Sequence, residues 1–192
     1  METYKDLPLL YFKDQAEWLE WLDKNYETPN GIWIKFAKKG TGIPSLTYPQ
    51  ARDGALMYGW IDGLKQRLDD SYFALRFLPR RPRSKWSKIN CEIAEALIAS
   101  GHMKPPGLKE VEAAKADGRW DNAYAPPSTM AIPEDLQKAL DENPAAKTAF
   151  ASLNQTNRYA FLYRIHTVKR AETRARHIQK TIDMLMRGET YH

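Results

Sequence analysis

Residues 32–37, Ile-Trp-Ile-Lys-Phe-Ala, follow the two-residue period of a half-buried strand, whereas Trp18, Leu19 and Leu22 recur at the spacing of a helix. An apolar run at 7–12 predicts a strand before that helix, which Asp14 caps and which covers 15–26. Pro29-Asn30-Gly31 turns the chain into the second strand, and Lys38 to Pro44 forms a loop. Thr47 followed three residues later by Gln50 is a capping box, so a helix runs to about Tyr58, buries Ala51, Ala55 and Leu56, and ends at Gly59. Residues 60–68 and 72–78 read as strands joined by Asp69-Asp70-Ser71, a hairpin whose second strand runs into Arg80.

From Ser87 the period lengthens. Ile89, Ile93, Ala94 and Leu97 form a helical stripe that stops at Gly101, with Ser87 or Asn90 near its cap. A helix over 108–116 follows Pro105-Pro106-Gly107, and 120–131 has no period. Further helices begin near Pro133 and Pro144. Thr156 can cap a helix to about Thr167, and Ala171, Ala175, Ile178, Ile182 and Leu185 mark a last helix over 172–187 that Gly188 stops. The predicted class is α+β, an N-terminal antiparallel sheet with helices followed by a mostly helical C-terminal region. The expected organisation is a sheet-containing region at 1–90, a helical connection at 91–150 and a helical hairpin at 151–192, packed as one compact unit.

Composition narrows the chemistry. The single cysteine, Cys91, excludes an internal disulfide framework, and His102, His166, His177 and His192 have no ligand spacing, so neither a metal nor a cofactor is predicted. No run is long and apolar enough for a membrane span, and residues 1–18 lack a signal-peptide pattern, so the expectation is a soluble cytoplasmic protein. The net charge of +5 is unevenly spread: residues 61–90 hold eight basic and three acidic groups, and 151–192 hold eight and three again. An acidic stretch lies between these two locally positive segments.

The segments GIWIKFAKKGTGIPSLTY, ALMYGWIDG, LRFLPRRPRSKWSKIN and NRYAFLYRIHTVKRAETRARHIQKTIDMLMRGE together resemble the bacterial YdeI/OmpD-associated, or bacteriocin-protection, family. The resemblance covers nearly the whole chain. It implies a role in envelope stress, antimicrobial-peptide resistance or association with a porin, and no particular reaction. Ala171 stands where the family often has proline.

The densest basic segment places Arg80, Arg81 and Arg83 between a strand and a helix, with Lys85, Trp86, Ser87 and Lys88 after them. Guanidinium groups pair bidentately with carboxylate or phosphate, and a helix start adds N–H donors, so this connection is a candidate anion site. In that reading Arg80, Arg81 and Arg83 capture, Lys85 and Lys88 attract, and Trp86 stacks, beside Trp60 and Asp62 of the GWIDG segment. The alternative is a solvated face whose arginines pair with Asp62, Asp69 or Asp70. The partner would be an anionic small molecule, an acidic protein surface or an envelope-associated protein. Sequence-specific DNA recognition is disfavoured because no reading motif is present. Catalysis at Asp62 and Tyr58 on an anionic substrate stays open beside simple binding, which is preferred. A second patch comprises Arg164, Lys169, Arg170, Arg174, Arg176 and Lys180, and whether the two patches share a cleft is open.

Overall fold

A computed structural model describes residues 2–168 and 170–192. They divide into two units, one containing the chain up to Trp86 together with Asn90–Asn122, the other containing Ser87–Ile89 and Ala123–His192. The 91–150 segment is therefore shared between them.

In the first unit β1 (Thr3–Tyr4), β2 (Leu7–Tyr11), β3 (Ile32–Ala37), β4 (Trp60–Arg67) and β5 (Tyr72–Pro79) form one sheet in the order β1-β2-β3-β5-β4. The α+β class holds, but the sheet is mixed where the pattern suggested wholly antiparallel pairing. Leu9 lies opposite Trp33 and Leu10 opposite Ile34 in a parallel pair. The reason is α1 (Gln15–Asn25), which carries the chain back to the end from which β2 started, as a parallel connection requires. The two-residue β1 was not anticipated; it turns into β2 through Lys5 and Asp6, both with positive φ, the combination found in a type I′ hairpin.

One sheet face receives α1 and α2 (Tyr48–Met57). Asp14 starts α1 by accepting from the Glu17 N–H at 3.0 Å, and the Thr47 N–H donates to Gln50 Oε1 at 3.0 Å at the start of α2. Trp18 and Leu22 of α1 and Ala51, Ala55 and Met57 of α2 pack on Ile32, Ile34, Phe36 and Phe77. Leu9, Trp33 and Ala74 lie on the other face under Tyr4, Leu7 and Leu68. α3 (Lys88–Ala99) and α4 (Pro105–Ala116) follow. α4 begins a turn earlier than expected, because prolines at the first two helical positions lack only N–H groups that would have no intrahelical acceptor anyway.

The second unit contains α5 (Glu134–Asp141), α6 (Pro144–Ser152), α7 (Gln155–His166) and α8 (Ala171–Met186). Leu136, Leu140, Phe150, Phe161, Ile165, Ile182 and Leu185 meet in its core. Asn154, not Thr156, caps α7: its side chain accepts from the Asn157 N–H at 2.9 Å. Buried Asn157 in turn exchanges hydrogen bonds of 3.2 and 3.0 Å with the backbone of His192. Arg174 grips Asp135 with two bonds, of 2.5 and 2.9 Å, and donates to the Ile165 carbonyl at 2.8 Å.

Two outcomes follow from this packing. A Cβ at Gly54 would lie 2.7 Å from the indole of Trp18, itself completely buried. Gly54→Ala gains about 1 kcal/mol of helix propensity but meets an overpacking cost of about 1–3 kcal/mol, so denaturant unfolding should report net destabilisation. A more stable variant would show that the Trp18 contact is not tight. The hydrogen bonds from Arg174 also hold the Asp135 carboxyl below its ordinary pKa. A carboxyl depressed in the folded state contributes stability that is present above its unfolded pKa of about 3.9 and is lost as pH falls through the lower folded value. The stability gap between the native protein and Asp135→Asn should therefore narrow on acidification below about pH 4. A gap constant with pH would contradict the ion pair.

Candidate functional site

The basic block starts where β5 ends. The Arg80 N–H donates to the Gly59 carbonyl at 2.9 Å, extending the Trp60–Pro79 register by one bond. Gly59 has φ +74, which an L side chain would resist, so the turn from α2 into β4 uses its freedom. The Arg80 side chain is buried at 6% exposure, its guanidinium 3.6 Å from the ring centre of Trp86, and one Nη donates to the Lys85 carbonyl at 3.1 Å. Trp86 is equally enclosed at 2% and meets Trp120 at 4.9 Å. Lys115 lies 5.0 Å from the Trp120 ring.

Between Arg80 and Trp86 the chain makes a tight turn. The Ser84 N–H donates to the Arg81 carbonyl at 2.9 Å, and Ser84 Oγ accepts from the Arg81 N–H at 3.0 Å. Pro82 occupies the second position and Arg83 the third with φ +72, the backbone signature of a type II turn, whose third position favours glycine. Arg119 fastens this turn: it donates to the Ser84 carbonyl at 3.0 Å while its Nε holds the Asp117 carboxylate at 2.7 and 2.8 Å. Arg119 and Trp120 were missed by sequence reasoning, which took 120–131 as an irregular stretch; the juxtaposed arginine and tryptophan after Gly118 were the available signal.

The proposed capture set is thereby divided. Arg81 and Arg83 are exposed, and their side chains make no hydrogen bond or ion pair with the described residues. Lys85 is exposed, with enough burial of its ammonium to lower its pKa. Arg80 and Trp86 face inward. Ser87 belongs to the second unit, where it bridges to Tyr124, and the Lys88 N–H donates to the Tyr124 carbonyl at 2.9 Å. Trp60 is fully buried, its indole N–H donating to the Tyr26 carbonyl at 2.8 Å, and Asp62 accepts from the Tyr48 hydroxyl at 3.1 Å. The GWIDG segment leads into β4, as the strand reading of 60–68 expected, with a bulge between Asp62 and Lys65. It meets the basic block through backbone pairing.

Tyr58 and Asp62 have separate partners, since the Tyr58 hydroxyl donates to Asp23. Burial and this bond raise the Tyr58 pKa. Burial likewise pushes the Cys91 thiol up to about 11, which keeps it protonated at neutral pH. Asp69 accepts from the Ser71 and Tyr72 N–H groups, and Arg67 pairs with Asp70. In the second patch Arg164 stacks on Tyr191 and Arg174 pairs with Asp135, whereas Arg170, Arg176 and Lys180 are exposed. Lys169 lies outside the described residues. Among the described residues no group of three potential ligands could hold a metal ion, and no helix is long and apolar enough to cross a membrane.

Residues 10–110, more than half of the 192-residue chain, match the family model described as Domain of unknown function (DUF8412). The chain belongs to this family. Residues 129–188 match the model described as Bacteriocin-protection, YdeI or OmpD-Associated. The YdeI/OmpD resemblance is thus carried by the C-terminal helices, while the Arg81–Ser84 turn falls in the DUF8412 region. Comparison with curated proteins and with solved structures gave no match.

The turn predicts a graded mutational series. Arg80→Ala removes a buried stack and a carbonyl bond and should destabilise by about 1–3 kcal/mol. Arg81→Gln should remain within about 0.5 kcal/mol of the native protein. Arg83→Gly relieves positive φ and should stabilise by roughly 0.5–1 kcal/mol after the unfolded-state entropy of glycine is subtracted. Chemical denaturation measures all three, and equal effects of Arg80→Ala and Arg81→Gln would contradict their opposite placements.

Proposed function

We propose that this protein works by binding, with the type II turn at Arg81 and Arg83 capturing an acidic surface on a partner protein. The observation carrying this reading is the pair of exposed guanidinium groups that have no counter-ion among the described residues, held on a turn that Ser84 and Arg119 fasten. A fastened turn loses little freedom on association, so its charges act without a large ordering cost. Complementary charge on the partner then accelerates encounter and sets register. A small anion is the weaker fit, because Arg80 and Trp86, which would have formed pocket walls, are buried against each other. An enzymatic reading has less support still, since Tyr58 is engaged with Asp23 and Asp62 with Tyr48.

The match of 129–188 supports placing the protein as a whole within stress or antimicrobial resistance, the setting named by bacteriocin protection, and with an envelope-associated partner. Cytoplasmic residence is part of the proposal, and the lone reduced Cys91 suits a reducing compartment.

An oligoglutamate peptide serves as the test probe, with citrate as the small-anion comparison. Replacing both Arg81 and Arg83 with glutamine should weaken peptide binding about tenfold or more and flatten its salt dependence. Unchanged affinity would sink the assignment, and citrate binding as tightly as the peptide would favour a small-anion site.

A further inference from the structure

Among the described residues four arginines lie against aromatic rings, at 3.6 Å for Arg80 on Trp86, 3.7 Å for Arg164 on Tyr191, 5.0 Å for Arg158 on Phe150 and 5.8 Å for Arg52 on Tyr48, where the Arg52 edge donates to Asp53. Stacking uses the face of a guanidinium and leaves its in-plane N–H donors for acceptors at the edge. Arg80 gives an edge donor to the Lys85 carbonyl at 3.1 Å and Arg164 gives one to the Ala160 carbonyl at 2.8 Å. Arg158 differs. Its guanidinium has neither a hydrogen bond nor an ion pair with any described residue.

Arg158 lines a half-open cleft of about 450 Å³ in the second unit, bounded by the 127–132 segment and the start of α7. That volume lies within the range that accepts small molecules, roughly 300–1,000 Å³. Among the described residues Arg158 is the one charged side chain in the lining. Ser128, Gln155 and Tyr159 bring further polar groups, and none of their side chains is hydrogen-bonded to a described residue. Burial, together with the neighbouring Tyr124 and Tyr163, pushes the Tyr159 phenol up to about 12, so it remains a donor at neutral pH. Met130, Leu153 and Leu162 add apolar surface beside them.

We infer that this cleft binds a small molecule with an apolar body and one anionic head, carboxylate or phosphate, the head lying against the edge of Arg158. The apolar body rests on Met130, Leu153 and Leu162, and Ser128, Gln155 and Tyr159 select the head by hydrogen bonding. This site is independent of the turn at Arg81 and Arg83, so either assignment stands if the other fails.

The probes are 3-phenylpropionate, 3-phenylpropyl phosphate and the cationic 3-phenylpropylamine, titrated into the full chain and followed by amide NMR shifts and calorimetry. At least one anionic probe should saturate shifts centred on 127–132 and 153–162, with the amine about tenfold weaker or worse. The tighter anion names the head group. Arg158→Gln should lower anion affinity by a similar factor. Because that variant also removes the stack on Phe150, Gln155→Glu provides the second arm. It places a carboxylate at an exposed first-turn position that the helix dipole tolerates, and it should weaken the anions while leaving unfolding unchanged. Absence of saturable shifts with both anions, equal binding of the amine, or unaltered anion affinity in folded Gln155→Glu would overturn the site.

Discussion

A guanidinium removed from water must find compensation for its lost hydration, and Arg80 is buried at the point where the chain leaves the sheet. The ring of Trp86 covers its face and the Lys85 carbonyl takes one edge donor, so the chain must return to Arg80 within six residues. Such a short return requires a tight reversal, and Arg81 to Ser84 supplies it. The exposure of Arg81 and Arg83 is a consequence of that reversal. Trp120 and Arg119 complete it from a segment well separated in sequence, one packing on the indole and the other holding the Ser84 carbonyl. Charge density in this loop therefore has two origins: one cation is part of the interior, and its neighbours are displayed because it is.

This division was illegible in the sequence for a physical reason. Arg80, Arg81 and Arg83 are chemically identical, and their fates depend on where β5 ends and on contacts from residues 119 and 120. The elements themselves were readable wherever the signal was local. Asp14, the Thr47–Gln50 pair and Gly59 mark helix ends through their own backbone bonds, and the Asp69 turn is fastened by its own carboxylate. Pairing sense was not local: the pattern of β2 records which of its faces is buried but carries no trace of the neighbour α1 brings beside it. Asn154 was passed over for Thr156 because both residue types cap helices, and only the observed bond to Asn157 distinguishes them.

Apart from Ser87–Ile89, which the second unit contains, the two family matches lie in different units. Residues 10–110 fall before Asn122, and 129–188 fall after Ala123. Each unit has its own apolar core, centred on Trp18, Trp60 and Phe77 in the first and on Leu136, Phe161 and Ile165 in the second. An association carried by the C-terminal helices therefore does not transfer automatically to the basic turn, which arises from the packing of the other unit.

Arginine has two surfaces with different uses, and this chain separates them. On Arg80 and Arg164 an aromatic ring takes the face and a carbonyl takes part of the edge, so the cation becomes a structural pin. Arg174 reaches the same end through its edge alone, on Asp135 and Ile165. Arg81 and Arg83 have neither surface engaged by a described residue, and Arg158 has only its face engaged. Positive charge by itself does not separate these arginines; the unspent edge donors do. A guanidinium already oriented by its ring meets an incoming anion with less rotational freedom to lose than one on an extended side chain in water. On that ground the ligand proposed for Arg158 is one of defined geometry, and the partner proposed for Arg81 and Arg83 a broader acidic surface.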